Sequence, residues 1–200
     1  PTPPPEADPR RPVGDTGTVT KQDSEILITD CKKVGNFHLH EVLVSSGSLC
    51  KGDTAKLLID LGRREKINCN HSATHLLHSA LREVLGEKVF QKGSLVNDDK
   101  LRFDYSHGVK LTQSEIEEIE NIVNAEIEKS TITETKLMSY QDAIDSGALA
   151  FFGDKYGDEV RVVSLGGEFS VELCGGTHVK NTSEIEGFII SNETSVSSGV

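Results

Sequence analysis

Four side chains that bind metals well, placed as two pairs of identical spacing, constrain this chain more than any other feature. The first pair is His71 and His75, within Asn70-His71-Ser72-Ala73-Thr74-His75-Leu76-Leu77-His78. That stretch reads as helix, where residues i and i+4 share a face, so both imidazoles can grip one ion. The second pair is Cys174 and His178, within Cys174-Gly175-Gly176-Thr177-His178. Either pair alone is ordinary, since isolated His-x-x-x-His runs are common on surfaces and in cores. The two glycines permit a tight turn that aims Cys174 and His178 at one point. Together the pairs make a full tetrahedral set, and three imidazoles with one thiolate suit Zn2+ among the common metals. The fold must therefore bring two distant parts of the chain together.

Neighbouring candidates have plainer readings. Cys69 falls off the ligand face of such a helix and His78 lies a turn beyond His75, so both read as packed or hydrogen-bonded neighbours. His38 and His40 alternate on a strand-like run with nothing nearby to complete a site, and they read as structural. A metalloprotease needs glutamate directly after the first histidine, and Ser72 stands there. The deaminase pattern, with its own glutamate and a Pro-Cys-x-x-Cys pair, is also missing.

The formal net charge of -11 argues against a protein that holds long nucleic acid by charge, because phosphate affinity rests on lysine and arginine. Contact with only the end of a strand stays compatible with it. No apolar run is long enough to span a bilayer, no leader pattern is present, and no membrane partner is expected. Cys31, Cys50, Cys69 and Cys174 are irregularly spaced and Cys174 is claimed as a ligand, and free thiols fit a reducing compartment, which makes the cytoplasm the expected location.

All six prolines fall within residues 1–12, which predicts a disordered lead. Residues 13–69 carry short β-type runs at 18–20, 25–29, 37–45 and 55–61, punctuated by turn residues, and predict a small barrel or meander. Arg63-Arg64 at its exit read as a solvated turn, with phosphate contact the sharper alternative. Residues 70–200 predict a second subdomain. A helix over 70–85 starts at Asn70 as N-cap and ends at Gly86, with Leu76, Leu77, Ala80, Leu81 and Val84 as its core stripe. Strands follow at 89–96 and 101–105. A second helix is capped by Thr112 and carries Ile116, Ile119, Ile122, Val123 and Ile127 at helical period. Then come a strand over 131–138, a short helix over 140–146, a loop over 147–158, and strands over 160–165, 169–173 and 188–191. The expected class is α+β: a small β-barrel-like subdomain, then an antiparallel sheet with two main helices carrying a zinc cleft.

Several runs together carry a resemblance. Asn-His-Ser-Ala-Thr-His-Leu-Leu-His (70–78), Phe-Gln-Lys-Gly-Ser-Leu-Val (90–96), Leu-Arg-Phe-Asp-Tyr (101–105), Phe-Phe-Gly-Asp-Lys-Tyr-Gly (151–157) and Glu-Leu-Cys-Gly-Gly-Thr-His-Val (172–179) resemble the editing domain of alanyl-tRNA synthetase from residue 13 to residue 200. Free-standing editing proteins and the threonyl-tRNA synthetase editing domain share the ligand pattern but usually lack the middle motifs. The resemblance implies hydrolysis of the ester joining serine or glycine to tRNA(Ala), with His71, His75, Cys174 and His178 holding Zn2+. Gln91 matches the substrate-positioning glutamine of that family and Thr74 the threonine beside the ligands. These two are the expected catalytic and substrate-binding side chains, with Gly175, Gly176 and Thr177 on the rim of the substrate site.

The implied partners are the tRNA(Ala) acceptor end and the remainder of a synthetase chain. No side chain in the motifs is an evident general base, which leaves the terminal ribose hydroxyl or a second water to relay the proton. Two departures stand out. Arg10-Arg11-Pro12 replaces the family's Gly-Gly-Gln-containing segment before Val13, and the sequence stops at Val200 where synthetases continue, as expected of an excised domain. Two alternatives remain open: threonyl-type editing, and a non-catalytic module in which zinc only stabilises a tRNA-end binding surface.

Overall fold

The computed structural model describes residues 12–21, 24–34, 37–150 and 157–194. The proline-rich lead up to residue 11 and the run 151–156 lie outside the described residues. The class is α+β with antiparallel sheets, as the sequence predicts. Strands β1 (Gly17–Lys21), β2 (Ser24–Val34), β3 (Phe37–Ser46) and β4 (Lys56–Ile59) come first, followed by helix α1 (Leu61–Leu85). Next are β5 (Gln91–Val96), β6 (Leu101–Tyr105), α2 (Gln113–Glu128), β7 (Glu134–Ser139) and α3 (Tyr140–Asp145). Strands β8 (Glu159–Leu165) and β9 (Ser170–Leu173) precede a 3-10 turn, Thr182–Ile185.

The expected barrel does not close. The first four strands form an open sheet in the order β3-β2-β1-β4, in which β3 and the four-residue β4 are the two edges. Among the described residues its buried apolar side chains are Val19, Ile26 and Ile28, with Ala55 packed alongside.

Helix α1 begins at Leu61 rather than near residue 70. Asp60 is its N-cap, accepting from the Arg63 amide at 3.0 Å, and Asn70 lies inside the helix with its side-chain amide donating to the Asn97 carbonyl. The other end is as predicted: Gly86, at φ 99°, donates its N–H to the Arg82 carbonyl. Leu76, Leu77, Ala80 and Leu81 are buried and Val84 packs at their margin. On α2 a capping box joins Thr112 and Glu115, and Ile119, Val123 and Ile127 are buried against α1 in one core.

Strand β8 lies between β7 and β9 and has both faces covered, because successive side chains of a strand point to opposite sides. Val163 and Leu165 join the α1–α2 core. Val160 and Val162 join a second core with Ala143 of α3 and Leu173 of β9. No strand forms over 188–191; there the side chains of α2 engage the backbone instead. Asn124 accepts from the Phe188 N–H and donates to its carbonyl, and Glu120 accepts from the Ile190 N–H.

Candidate metal centre

Two elements converge to build the site. On α1, His71 and His75 point from one face and are 6% and 4% exposed. On the other side, the register of the β8–β9 ladder sets the geometry. Glu172 sits opposite Val163, on the face toward α1. Cys174, two residues on, takes the same face and donates its N–H to the Arg161 carbonyl at 3.0 Å. The four predicted ligands come together: one donor atom from each of His71, His75, Cys174 and His178 lies within 4.8 Å of all the others. The Cys174 Sγ is 3.5 Å from His71 Nε2 and 3.3 Å from His178 Nε2.

Each imidazole is held at its other nitrogen. His71 Nδ1 donates to the Thr177 carbonyl at 3.0 Å. His178 Nδ1 pairs with the Ser72 hydroxyl at 3.3 Å, and that hydroxyl accepts the Val179 N–H at 3.1 Å. His75 Nδ1 donates to Glu172 Oε2 at 2.5 Å, and His78 Nδ1 donates to Oε1 of the same carboxylate at 2.7 Å.

Burial works against charge throughout this cluster, and partners overcome it at His75, Glu172 and Cys174 but not at His178. At His75 burial opposes the imidazolium, but the charges on Glu172 and Cys174 outweigh it and push the group up to about 10. Glu172 is likewise buried, yet the charge of His75 and hydrogen bonds from His75 and His78 hold its carboxyl below the usual range. Cys174 lies well below an ordinary thiol despite its burial, drawn down by the charge of His75 and by His178 and His71. His178 is lowered to about 4, first by burial and then by the charges of His71 and His75. A thiol and a carboxyl that both favour their ionised forms thus share one cluster with the imidazoles, an arrangement that a divalent cation would stabilise.

The residues fit a zinc ion on three further grounds. Three nitrogens and a sulfur are the donor types zinc takes. His75 Nε2 is buried with no hydrogen-bond partner among the described residues, which is costly unless something else binds it. Gly176 makes room for the His71 ring: a Cβ there would lie 2.3 Å from His71 Cε1. Gly175, by contrast, faces open space, and neither glycine has a positive φ. The turn therefore needs Gly176 for close approach, and neither glycine for an unusual backbone.

The remaining predicted residues are placed as follows. Thr74 is buried on α1 between the two histidines, its hydroxyl donating to the Asn70 carbonyl at 2.8 Å. Gln91 opens β5, half-buried, and its side-chain amide donates to the Ser94 hydroxyl at 3.0 Å. Thr177 and Gly175 are exposed beside the cluster. His38 and His40 are exposed on β3, and the Cys69 thiol donates to the Glu184 carbonyl. Arg63 and Arg64 are in the first turns of α1, not in a solvated turn. Arg63 pairs with Asp98 and Arg64 with Asp15.

Two residues escaped the sequence reading. Glu172 was visible as an acidic residue in an otherwise apolar strand end, two positions from a ligand. Arg161 gave no local signal, yet its guanidinium donates to the carbonyls of Cys174 and Gly176 at 3.0 and 2.5 Å and so clamps the ligand turn.

Comparison with known proteins is consistent with this geometry. Residues 160–200 match the family described as threonyl and alanyl tRNA synthetase second additional domain. The chain is 50% identical over 189 residues to an alanine–tRNA ligase of Wolbachia pipientis wMel, 48% over 187 to one of Saccharophagus degradans and 49% over 198 to one of Sinorhizobium medicae. Each alignment takes in 94% of this chain but only 21–22% of the relative, so the chain spans about a fifth of the length of these enzymes. By its motifs and by these similarities, the polypeptide corresponds to a segment of the alanyl-tRNA synthetases that carries the second additional domain at its C-terminal end.

Proposed function

We propose that this chain is the proofreading part of an alanyl-tRNA synthetase and hydrolyses Ser-tRNA(Ala) and Gly-tRNA(Ala) at a zinc site held by His71, His75, Cys174 and His178. The observation that carries the reading is the convergence of these four donor atoms within 4.8 Å, in a chain half identical to alanine–tRNA ligases. The need is physical. A pocket sized for alanine admits glycine and discriminates poorly against serine, which merely adds a hydroxyl, so a second site must clear the errors.

Bound zinc would supply a Lewis acid for the ester carbonyl or an anchor for the aminoacyl end. The chain's own residues do the rest. Thr74 and Gln91 offer polar groups to the serine hydroxyl, and alanine's methyl would leave those groups unpaired, at a cost that favours the wrong substrate over the right one. The Gly175–Thr177 rim, exposed at Gly175 and Thr177, receives the terminal nucleotide. The β-rich subdomain of residues 13–69 and the editing subdomain of 70–200 share α1, whose span Leu61–Leu85 crosses the boundary between them, while the rest of the synthetase holds the tRNA body in the cytoplasm.

A second reading has one observation in its favour: four protein ligands fill a tetrahedral shell, the usual state of structural zinc. Deacylation by the purified chain separates the two. Ser-tRNA(Ala) should be hydrolysed with one zinc per chain, and both a chelator and Cys174→Ala should reduce the rate to background. Zinc binding without hydrolysis would favour the binding module. Hydrolysis of seryl esters on threonine-type tRNA alone would favour threonyl-type editing, and full activity of Cys174→Ala would overturn the assignment.

A further inference from the structure

We propose that Glu172 is the positioning residue that makes His75 a zinc ligand, and that His78 serves as its brace. The inference rests on the metal reading above and adds a part to it. An ionised carboxylate only accepts hydrogen bonds. Both rings that face it, His75 at 2.5 Å and His78 at 2.7 Å, must therefore carry hydrogen on Nδ1. For His75 this fixes which nitrogen can give up its proton and take the metal. It is Nε2, the buried atom that no hydrogen bond satisfies among the described residues.

One bond from His75 would leave the carboxylate free to turn. The second bond, to the other oxygen, sets its plane, so His78 acts on the metal through Glu172. The carboxylate is 1% exposed, and water cannot substitute for either ring. The strand explains the pairing. Glu172 and Cys174 leave β9 and its extension on one face, so a single strand end delivers one ligand and the group that orients another. Thr177 does the same service for His71 through its carbonyl.

Gln is the informative replacement, because its amide keeps the size of the carboxylate but has a single acceptor oxygen and an NH2 that donates. In Glu172→Gln one of the two Nδ1–H groups would face another N–H. Zinc affinity of the 200-residue chain, measured by competition with a chromophoric chelator, should fall about 10- to 100-fold. His78→Phe, which leaves the Glu172–His75 bond in place, should cost less.

A merely structural Glu172 would lower stability without touching the tautomer. The deciding readout is therefore a long-range 1H–15N spectrum of zinc-loaded wild-type protein. His75 should show a protonated Nδ1 and metal-bound Nε2, and the Nδ1–H signal should move in Glu172→Gln. Should that variant fail to fold, the wild-type spectrum still decides. A protonated Nε2 on His75, or a folded Glu172→Gln of wild-type affinity, would overturn this inference alone. A wild-type chain that takes up no zinc would overturn the metal reading beneath it.

Discussion

At the scale of single residues, the closest constraint in the site is the absence of a methyl group. A Cβ on Gly176 would meet His71 Cε1 at 2.3 Å and Nδ1 at 2.9 Å, and an alanine there must push the ring away from the Thr177 carbonyl that orients it. Forced overpacking of this kind costs about 1–3 kcal/mol, and each 1.4 kcal/mol is roughly tenfold in affinity. Gly176→Ala should weaken zinc binding about tenfold or more in a calorimetric titration, while Gly175→Ala, which meets nothing within 4 Å, should leave it unchanged. Equal effects would show that backbone freedom, not space, is what the turn requires. The convergence of the four donors was legible because Cys and His at matched spacing carry chemistry on their face. Which glycine mattered was not, nor were Glu172 and Arg161, because those roles arise only when β9 is laid against β8 and both against α1.

At the scale of elements, α1 shows how a helix hides its start. Residues 61–69 are mostly polar, and Ile67 is the one buried side chain among them, so no apolar period announces the helix before Asn70. Ion pairs take the place of a stripe. Arg64 pairs with Asp15 just before β1, and Arg63 bonds the Gly14 carbonyl and Asp98 in the β5–β6 turn. The segment 188–191 misleads in the opposite direction: alternating Phe188 and Ile190 look like a strand but pack against the main core while α2 side chains satisfy their backbone.

The Arg64 contact makes a pH prediction. The hydrogen bond from Arg64 comes first among the influences on Asp15, exceeds the opposing effect of partial burial, and lowers its pKa. A carboxylate depressed in the folded state contributes stability that is full above its unfolded value, about 4, and is lost as pH falls through the lower folded value. Wild type should therefore melt above Asp15→Asn near neutrality, with the gap narrowing as pH drops below about 4. The pair is partly open to solvent, so salt should narrow it too. A gap that stays constant across this range would show that Asp15 acts by packing and not by charge.

At the scale of the molecule, the site lies on the seam between two parts that the chain connects only at long range. The main core is built by α1, α2 and one face of β8, and a second core by α3 and the other face. The open β1–β4 sheet buries three apolar residues and leaves Leu43, Val44, Leu57 and Leu58 exposed. A metal bound by His71 and His75 on one side and by Cys174 and His178 on the other would cross-link α1 to the end of β9. It would bind the folded chain far better than the unfolded one, where the pairs are far apart.

Linkage then fixes the size of the effect: ligand at a hundred times its Kd adds about 2.7 kcal/mol of stability. Zinc in slight excess should raise the Tm, a chelator should reverse the rise, and Cys174→Ala should show little of it. The location of the gain is the sharper test. Amide exchange should slow in α1, β8 and β9, which share the cross-linked core, and change little in β1–β4, whose small core does not include the site. Slowing confined to β1–β4, or a Tm indifferent to zinc, would mean that the four donors do not close on a metal as one unit.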